Sequence, residues 1–231
     1  MIALKSGTCL HCQQKGIGMI SIICEPCFLQ LPWCLKPYHM LKGLNCFSAL
    51  RYQKPITQWI YHFKYQADWT LARLFAQCIT KHPHSLFTDL PQALCIMPLH
   101  PEKLQSRGFN QSYEIARLIA KTWHIPILTD QVSRIKKTKP QHRLTPSQRT
   151  KNLISAFDAQ PLPDYIKHLG IIDDLITTGA SAKAVCNIIQ QVTSHPIEFT
   201  IFTAAVSISQ TLQIPGQVIS QQRIKRFKLH S

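Results

Sequence analysis

Apolar positions change period along this chain. Ile56, Trp59, Ile60 and Phe63 fall at i, i+3, i+4 and i+7, which is one face of a helix. Pro55, just ahead of them, suits a helix start. The same spacing predicts a second helix over 69–80, with Leu71, Leu74, Phe75 and Cys78 turned inward. Residues 46–52 read as a short strand before this helix pair. From Leu94 onward, strand and helix signals alternate. Residues 94–97 form a short apolar run ended by Pro98, and a helix follows over 110–123 on Tyr113, Ile115, Leu118 and Ile119. Residues 131–135 alternate like a strand, 147–156 look helical, 169–173 read as a buried strand and 181–192 as a helix. Residues 196–206 are rich in β-branched and aromatic side chains, as strands are. Strands separated by helices predict an α/β fold, a parallel sheet with helical crossovers. Residues 1–35 are Cys-rich and show little periodicity.

Composition adds a charge problem. The 231 residues hold 26 Lys and Arg against 11 Asp and Glu, a formal net charge of +15. Only 16% of residues are charged, so the imbalance comes from a shortage of acids. At 45% apolar the chain can bury a core, which excludes disorder as its main description. A strongly basic chain favours polyanions as partners. The surplus is concentrated. Between Gln131 and Phe157 lie Arg134, Lys136, Lys137, Lys139, Arg143, Arg149 and Lys151, with no acid. Gln141, His142, Thr145 and Asn152 in the same stretch are hydrogen-bonding types that position phosphates and sugars. Arg223, Lys225, Arg226 and Lys228 crowd the C-terminus, either as a solvated tail or as a polyanion contact. No window holds the ~18 consecutive apolar residues of a membrane helix. The first dozen residues lack a secretory apolar run, so a cytoplasmic chain without membrane insertion is expected.

Nine cysteines in a chain of this length do not suggest a disulfide scaffold. Cys9-x₂-Cys12 and Cys24-x₂-Cys27, eleven residues apart, are two knuckles that supply four thiolates to one tetrahedral zinc. Four protein ligands leave no open position, so such a zinc is structural. Cys34 and Cys46 lack CxxC partners and read as structural, and Cys78, Cys95 and Cys186 as core. The expected organisation is a zinc-knuckle module over 1–43 and an α/β domain over 44–231 that carries the basic tail.

The sharpest motif is HLGIIDDLITTGAS over 168–181. An apolar strand runs into two adjacent acids, Asp173 and Asp174. A turn, Thr177-Thr178-Gly179-Ala180-Ser181, then opens a helix. Loop amides and a helix N-terminus make an anion site from backbone donors. The two acids beside it suit the vicinal hydroxyls of a sugar. Open α/β sheets bind ligands at strand C-terminal ends, where this turn falls.

An apolar strand, two acids and a Thr/Gly-rich loop resemble the signature of the type I phosphoribosyltransferases. The zinc knuckle ahead of it narrows the resemblance to the ComF family of competence-associated, phosphoribosyltransferase-like proteins. Phe63-Lys64-Tyr65, Pro98-Leu99-His100, Arg107-Gly108-Phe109-Asn110-Gln111, Thr138-Lys139-Pro140-Gln141 and Arg149-x₂-Asn152 followed by Ala156-Phe157 carry that match, which spans about 9–206. The resemblance implies that Asp173 and Asp174 bind the ribose hydroxyls of phosphoribosyl pyrophosphate (PRPP). It implies that Thr177, Thr178, Gly179, Ala180 and Ser181 cradle the 5′-phosphate, and that Mg²⁺ accompanies the pyrophosphate. His100, Arg107, Gly108 and Arg149 are candidate phosphate contacts, and Arg107 offers a planar donor fork. Lys64, Arg134, Lys136, Lys137, Lys139 and Arg143 are candidate nucleic-acid contacts.

Three departures matter. The purine-salvage enzymes carry an Asp general base in the loop, where Thr177 stands here, and a hydroxyl is a poor base at neutral pH. The family's further CxxC before the strand at Cys46 is absent. The stretch from Leu99 to Arg107 has Lys103 as its only other cation. Three functions are therefore expected to compete. The first is a competence protein that handles incoming single-stranded DNA and binds PRPP or a nucleotide. The second is a working phosphoribosyltransferase of nucleotide metabolism. The third is a nucleotide-binding regulator whose zinc module recruits a competence-machinery protein.

Overall fold

The computed structural model describes residues 7–15, 19–20, 22–34, 44–82, 89–135 and 156–207. Its centre is a five-stranded sheet in which every pairing is parallel. Across the sheet the strands run β3 (Asn45–Arg51), β9 (Glu198–Val206), β8 (His168–Ile176), β4 (Ala93–Ile96) and β5 (Ile127–Leu128). Both faces of the central strands are buried, which is why β8 and β9 read as near-continuous apolar runs. Alternation assigns the side chains. Ile172 and Phe202 join one core, and Ile171 and Ile201 join the other.

The first core lies beneath α2 (Ile56–Tyr65), α3 (Thr70–Thr80) and α5 (Gln111–Trp123). The stripe Ile56, Trp59, Ile60 and Phe63 is buried as its spacing requires. The second core lies beneath α6 (Ala180–Val192), through Val185, Cys186 and Ile189. The helix bounds differ from the sequence expectation by a residue or so, because end residues serve as caps. Asn110 is one such cap, its Oδ1 accepting from the Ser112 and Tyr113 amides.

Two elements differ more. The run expected to end at Asp173 continues to Ile176, so both acids sit inside β8, with Asp173 opposite Thr203 of β9. Between Pro98 and the helix expected over 110–123, the chain forms a short helix that the apolar pattern did not predict, α4 (Pro101–Arg107). His100 caps it, Pro101 occupies its first turn and Gly108 ends it in the left-handed region at φ 77°.

At the N-terminus, β1 (Met19–Ile20) pairs antiparallel with β2 (Ile23–Cys24), and α1 (Glu25–Leu29) follows. Leu10, Ile23, Phe28 and Leu31 belong to the same core as α2 and α3. Residues 32–34 run along β3: the Cys34 amide donates to Ala49 and the Arg51 amide to Pro32. That covers an edge strand which would otherwise present free backbone groups. A separate antiparallel pair, β6 (Val132–Arg134) with β7 (Phe157–Ala159), brackets residues 136–155. The expected helix over 147–156 falls almost wholly in that bracket, outside the described residues. Among the described residues no helix is long and apolar enough to cross a membrane.

Candidate functional site

Two sites take shape. The first is the cysteine cluster. The Sγ atoms of Cys9, Cys12, Cys24 and Cys27 all lie within 4.8 Å of one another, and those of Cys12 and Cys24 are 3.8 Å apart. Tetrahedral zinc with bonds of ~2.3 Å needs sulfurs about 3.8 Å apart. The backbone is arranged to support thiolate: the Cys24 and His11 amides donate to Cys9 Sγ at 3.3 and 3.4 Å. Burial opposes ionisation of Cys9, but amide donation from Cys12, Cys24 and His11 outweighs it and brings the thiol down to about 6. Four soft donors with N–H···S support fit a structural metal such as zinc. His11 is exposed, edge-on to Trp59.

The second site is at the C-terminal edge of the sheet. Alternation places Asp174 on the face of Ile172, the face covered by α2. There Lys64 meets it, Nζ to Oδ2 at 2.7 Å, with the side chains only 19% and 11% exposed. Lys64, expected as a nucleic-acid contact, is thus committed to one of the two acids. Asp173 Oδ1 accepts from the Asp174 amide at 2.9 Å and from Ser112 Oγ at 3.4 Å. Burial and then the neighbouring Asp174 charge push the Asp173 carboxyl up to about 8, against the pull of Lys64. The acids are therefore unequal: Asp174 is held by a lysine, and Asp173 is pushed toward its neutral form.

This inequality predicts a stability effect with a definite sign. Between pH ~4 and ~8 the folded chain holds a proton on Asp173 that the unfolded chain has released, so stability falls as pH rises through that window. Asp173→Asn removes the penalty. The variant is expected to be more stable than the parent by about 1–2 kcal/mol at pH 8, with a smaller gain at pH 5. Urea unfolding at both values checks it. A gain that is larger at pH 5 contradicts the assignment.

Beyond the acids, Thr177 and Thr178 are exposed and Gly179 turns at φ 70° into α6. Thr178 Oγ1 accepts from the Ala180 amide at 3.4 Å, and Ser181 lies in the first turn. Past the end of β4 stand His100, whose Nδ1 accepts from the Glu102 amide, and Arg107, which donates to Gln111 Oε1 at 3.0 Å and lies 5.2 Å over the Tyr65 ring. Asn110 Nδ2 donates to Met97 O and ties this segment to the end of β4. Arg134 lies over Phe157. Lys136, Lys137, Lys139, Arg143 and Arg149 lie outside the described residues, as does the basic tail. The structure thus brings Lys64, Ser112, Asp173 and Asp174 together. Sequence reading missed Ser112, which stands two residues past the Asn110 cap and so points back at the strand end. A cleft of 590 Å³, lined by His11, Gln13, Gln30, Gln58, Trp59 and His62 among others, shares no residue with this edge.

No family model matches the chain. Curated relatives do. It is 27% identical over 217 residues to "Competence protein F" of Haemophilus influenzae, covering 82% of this chain and 93% of that protein. The chain is similar in sequence to proteins named for competence and DNA utilization. "DNA utilization protein YhgH" of Salmonella typhi is 27% identical over 184 residues, 77% of each chain. "Competence protein ComFC" of Bacillus subtilis is 25% identical over 136 residues, 58% of this chain and 53% of that one. Among solved structures, an adenine phosphoribosyltransferase of Thermoanaerobacter pseudethanolicus aligns with TM-score 0.34 and 11% identity over 62% of this chain and 82% of its own. That of Leishmania tarentolae aligns with TM-score 0.38 and 6% identity over 74% and 94%. The fold of this chain is defined by its own strand order.

Proposed function

We propose that this chain is a ComF-type protein that binds a phosphoribosyl group at the end of β8 and handles single-stranded DNA in natural transformation. The observation that carries the reading is the pair Asp173 and Asp174 delivered by a buried strand directly beside the Thr177–Ser181 turn. A ribose 5-phosphate needs hydroxyl acceptors and a phosphate cradle at that separation in sequence, on one sheet edge. His100 and Arg107, which follow the neighbouring strand β4, are proposed to hold the pyrophosphate, and Arg149 joins them by motif alone. Relatives named for competence and DNA utilization support the DNA part. Lys136, Lys137, Lys139, Arg143 and Arg134 are its proposed phosphate contacts. Zinc is proposed as the structural ion, and a cytoplasmic place as the setting.

Mg²⁺ is proposed to accompany PRPP. Among the described residues only the four cysteines approach one another closely enough to hold a metal by themselves. The two carboxylates, already engaged by Lys64, Ser112 and an amide, do not make a cage. The hard oxygen donors such an ion takes would come largely from the ligand's own phosphates.

Calorimetric titration of PRPP with Mg²⁺, and of an oligonucleotide, separately and together, tests the reading against Asp173→Ala. PRPP binding that fails in the variant supports the pocket, and absence of PRPP binding in the parent chain overturns it. DNA binding should fall steeply with salt. Salt-insensitive binding, or none, overturns the DNA part. Pyrophosphate release with an acceptor base would make the chain a transferase, which Thr177 in place of a loop carboxylate argues against.

A further inference from the structure

The exposed side of α2 breaks that helix's own pattern. Its buried stripe is Ile56, Trp59, Ile60 and Phe63, yet Tyr61 and Tyr65 stand off it, 56% and 61% exposed. They lie one turn apart, with ring centroids at 5.0 Å. Trp69, 47% exposed, rests on buried Phe109 at 4.4 Å between centroids. Arg107, two residues before Phe109, covers the Tyr65 ring. Lys103 on α4 is drawn below its ordinary pKa by partial desolvation first and then by the charges of Arg107 and Arg134, while Tyr65 also acts on it. These rings and cations therefore share one neighbourhood. Of the nearby acids, Asp68 accepts from the Thr70 amide at the start of α3, and Asp174 is paired with Lys64. Three large rings left in water on one side of a domain need a partner. Cations interleaved with them, on a chain of net charge +15, make that partner a polyanion with aromatic faces.

We propose that Tyr61, Tyr65 and Trp69 form a base-stacking platform for single-stranded DNA, with Lys103 and Arg107 holding the phosphates. The proposal deepens the DNA reading above and rests on it. It adds a place for the bases, which the phosphate contacts of the basic segment lack. Tyr65 follows Lys64, the partner of Asp174, so the platform ends where the acid pair begins.

The test is fluorescence anisotropy with an oligo-dT strand and an abasic strand of equal length and charge. The proteins are the full chain, the double variant Tyr61→Ala/Tyr65→Ala, and the ring-preserving Tyr61→Phe/Tyr65→Phe. Oligo-dT is expected to bind the parent about tenfold or more tighter than the abasic strand, a stacking effect of the usual size. The alanine pair should lose that preference with an unchanged salt slope, since it removes no charge. The phenylalanine pair should keep the preference, which also shows that an intact ring and not the hydroxyl is needed. Equal binding of both strands by the parent overturns the platform and leaves phosphate handling standing. A preference that survives in the alanine pair overturns it too and frees the ring face for a protein partner. No binding of either strand overturns the platform and the DNA reading together, while PRPP titration decides the pocket separately.

Discussion

Loss of the four-cysteine metal centre is expected to lower the melting temperature by about 8–16 °C. The chain as isolated should carry about one zinc, and Cys27→Ser or a strong chelator should remove it. Zinc bound by four thiolates contributes about 10–16 kcal/mol of apparent binding free energy in isolated fingers. Only part of that reaches the whole chain here, because Leu10, Ile23, Phe28 and Leu31 still pack against α2 and α3 without metal. A global loss of about 4 kcal/mol or more remains the expectation, and each kcal/mol moves the melting point of a chain this size by about 2–4 °C. The loss should spread beyond the knuckles, since residues 32–34 also cover the edge of β3. Elemental analysis showing no zinc, together with a melting curve indifferent to chelator, would sink the assignment.

The four-cysteine cluster was legible because its signal is local. Two CxxC pairs fix the ligands whatever surrounds them, and the fold merely closes the gap to 4.8 Å. The parallel sheet was legible too, since strands buried on both faces write themselves as apolar runs. Legibility fails where the outcome depends on a partner far along the chain. Lys64 and Asp174 are 110 residues apart, and nothing near Lys64 says that its charge turns inward. The same lysine, flanked by two aromatics, reads locally as a surface cation. Helix α4 was missed because its local signal is weak: seven residues, no buried side chain, and Pro98 and Pro101 at its approach. It exists through its ends, His100 accepting an amide at one and Gly108 turning left-handed at the other. The length of β8 was missed for a different reason. Two acids in succession look like the end of a strand, yet here one is paired with Lys64 and the other is pushed toward its neutral form, and the pairing with β9 continues past them.

The pairing with Lys64 makes the second large effect. Lys64→Met is expected to destabilise the chain by about 2–4 kcal/mol, because it leaves the Asp174 carboxylate nearly buried without its counter-ion. The methionine keeps most of the stem's packing, so the loss reports charge and not volume. Asp174→Asn alone should cost a comparable amount by stranding the ammonium. The two together should cost far less than their sum, with a coupling of about 1–3 kcal/mol in a double-mutant cycle. Additive losses would mean that the 2.7 Å contact carries no energy. Recovery of stability should not bring recovery of ligand binding. In the double variant the Asp174→Asn side chain can still accept one hydrogen bond from a ribose hydroxyl, but the charge that strengthens it is gone. Phosphoribosyl binding is therefore expected to stay weak in the very variant whose fold is restored. Such a separation would show that the ion pair orients the proposed binding edge as well as closing a core.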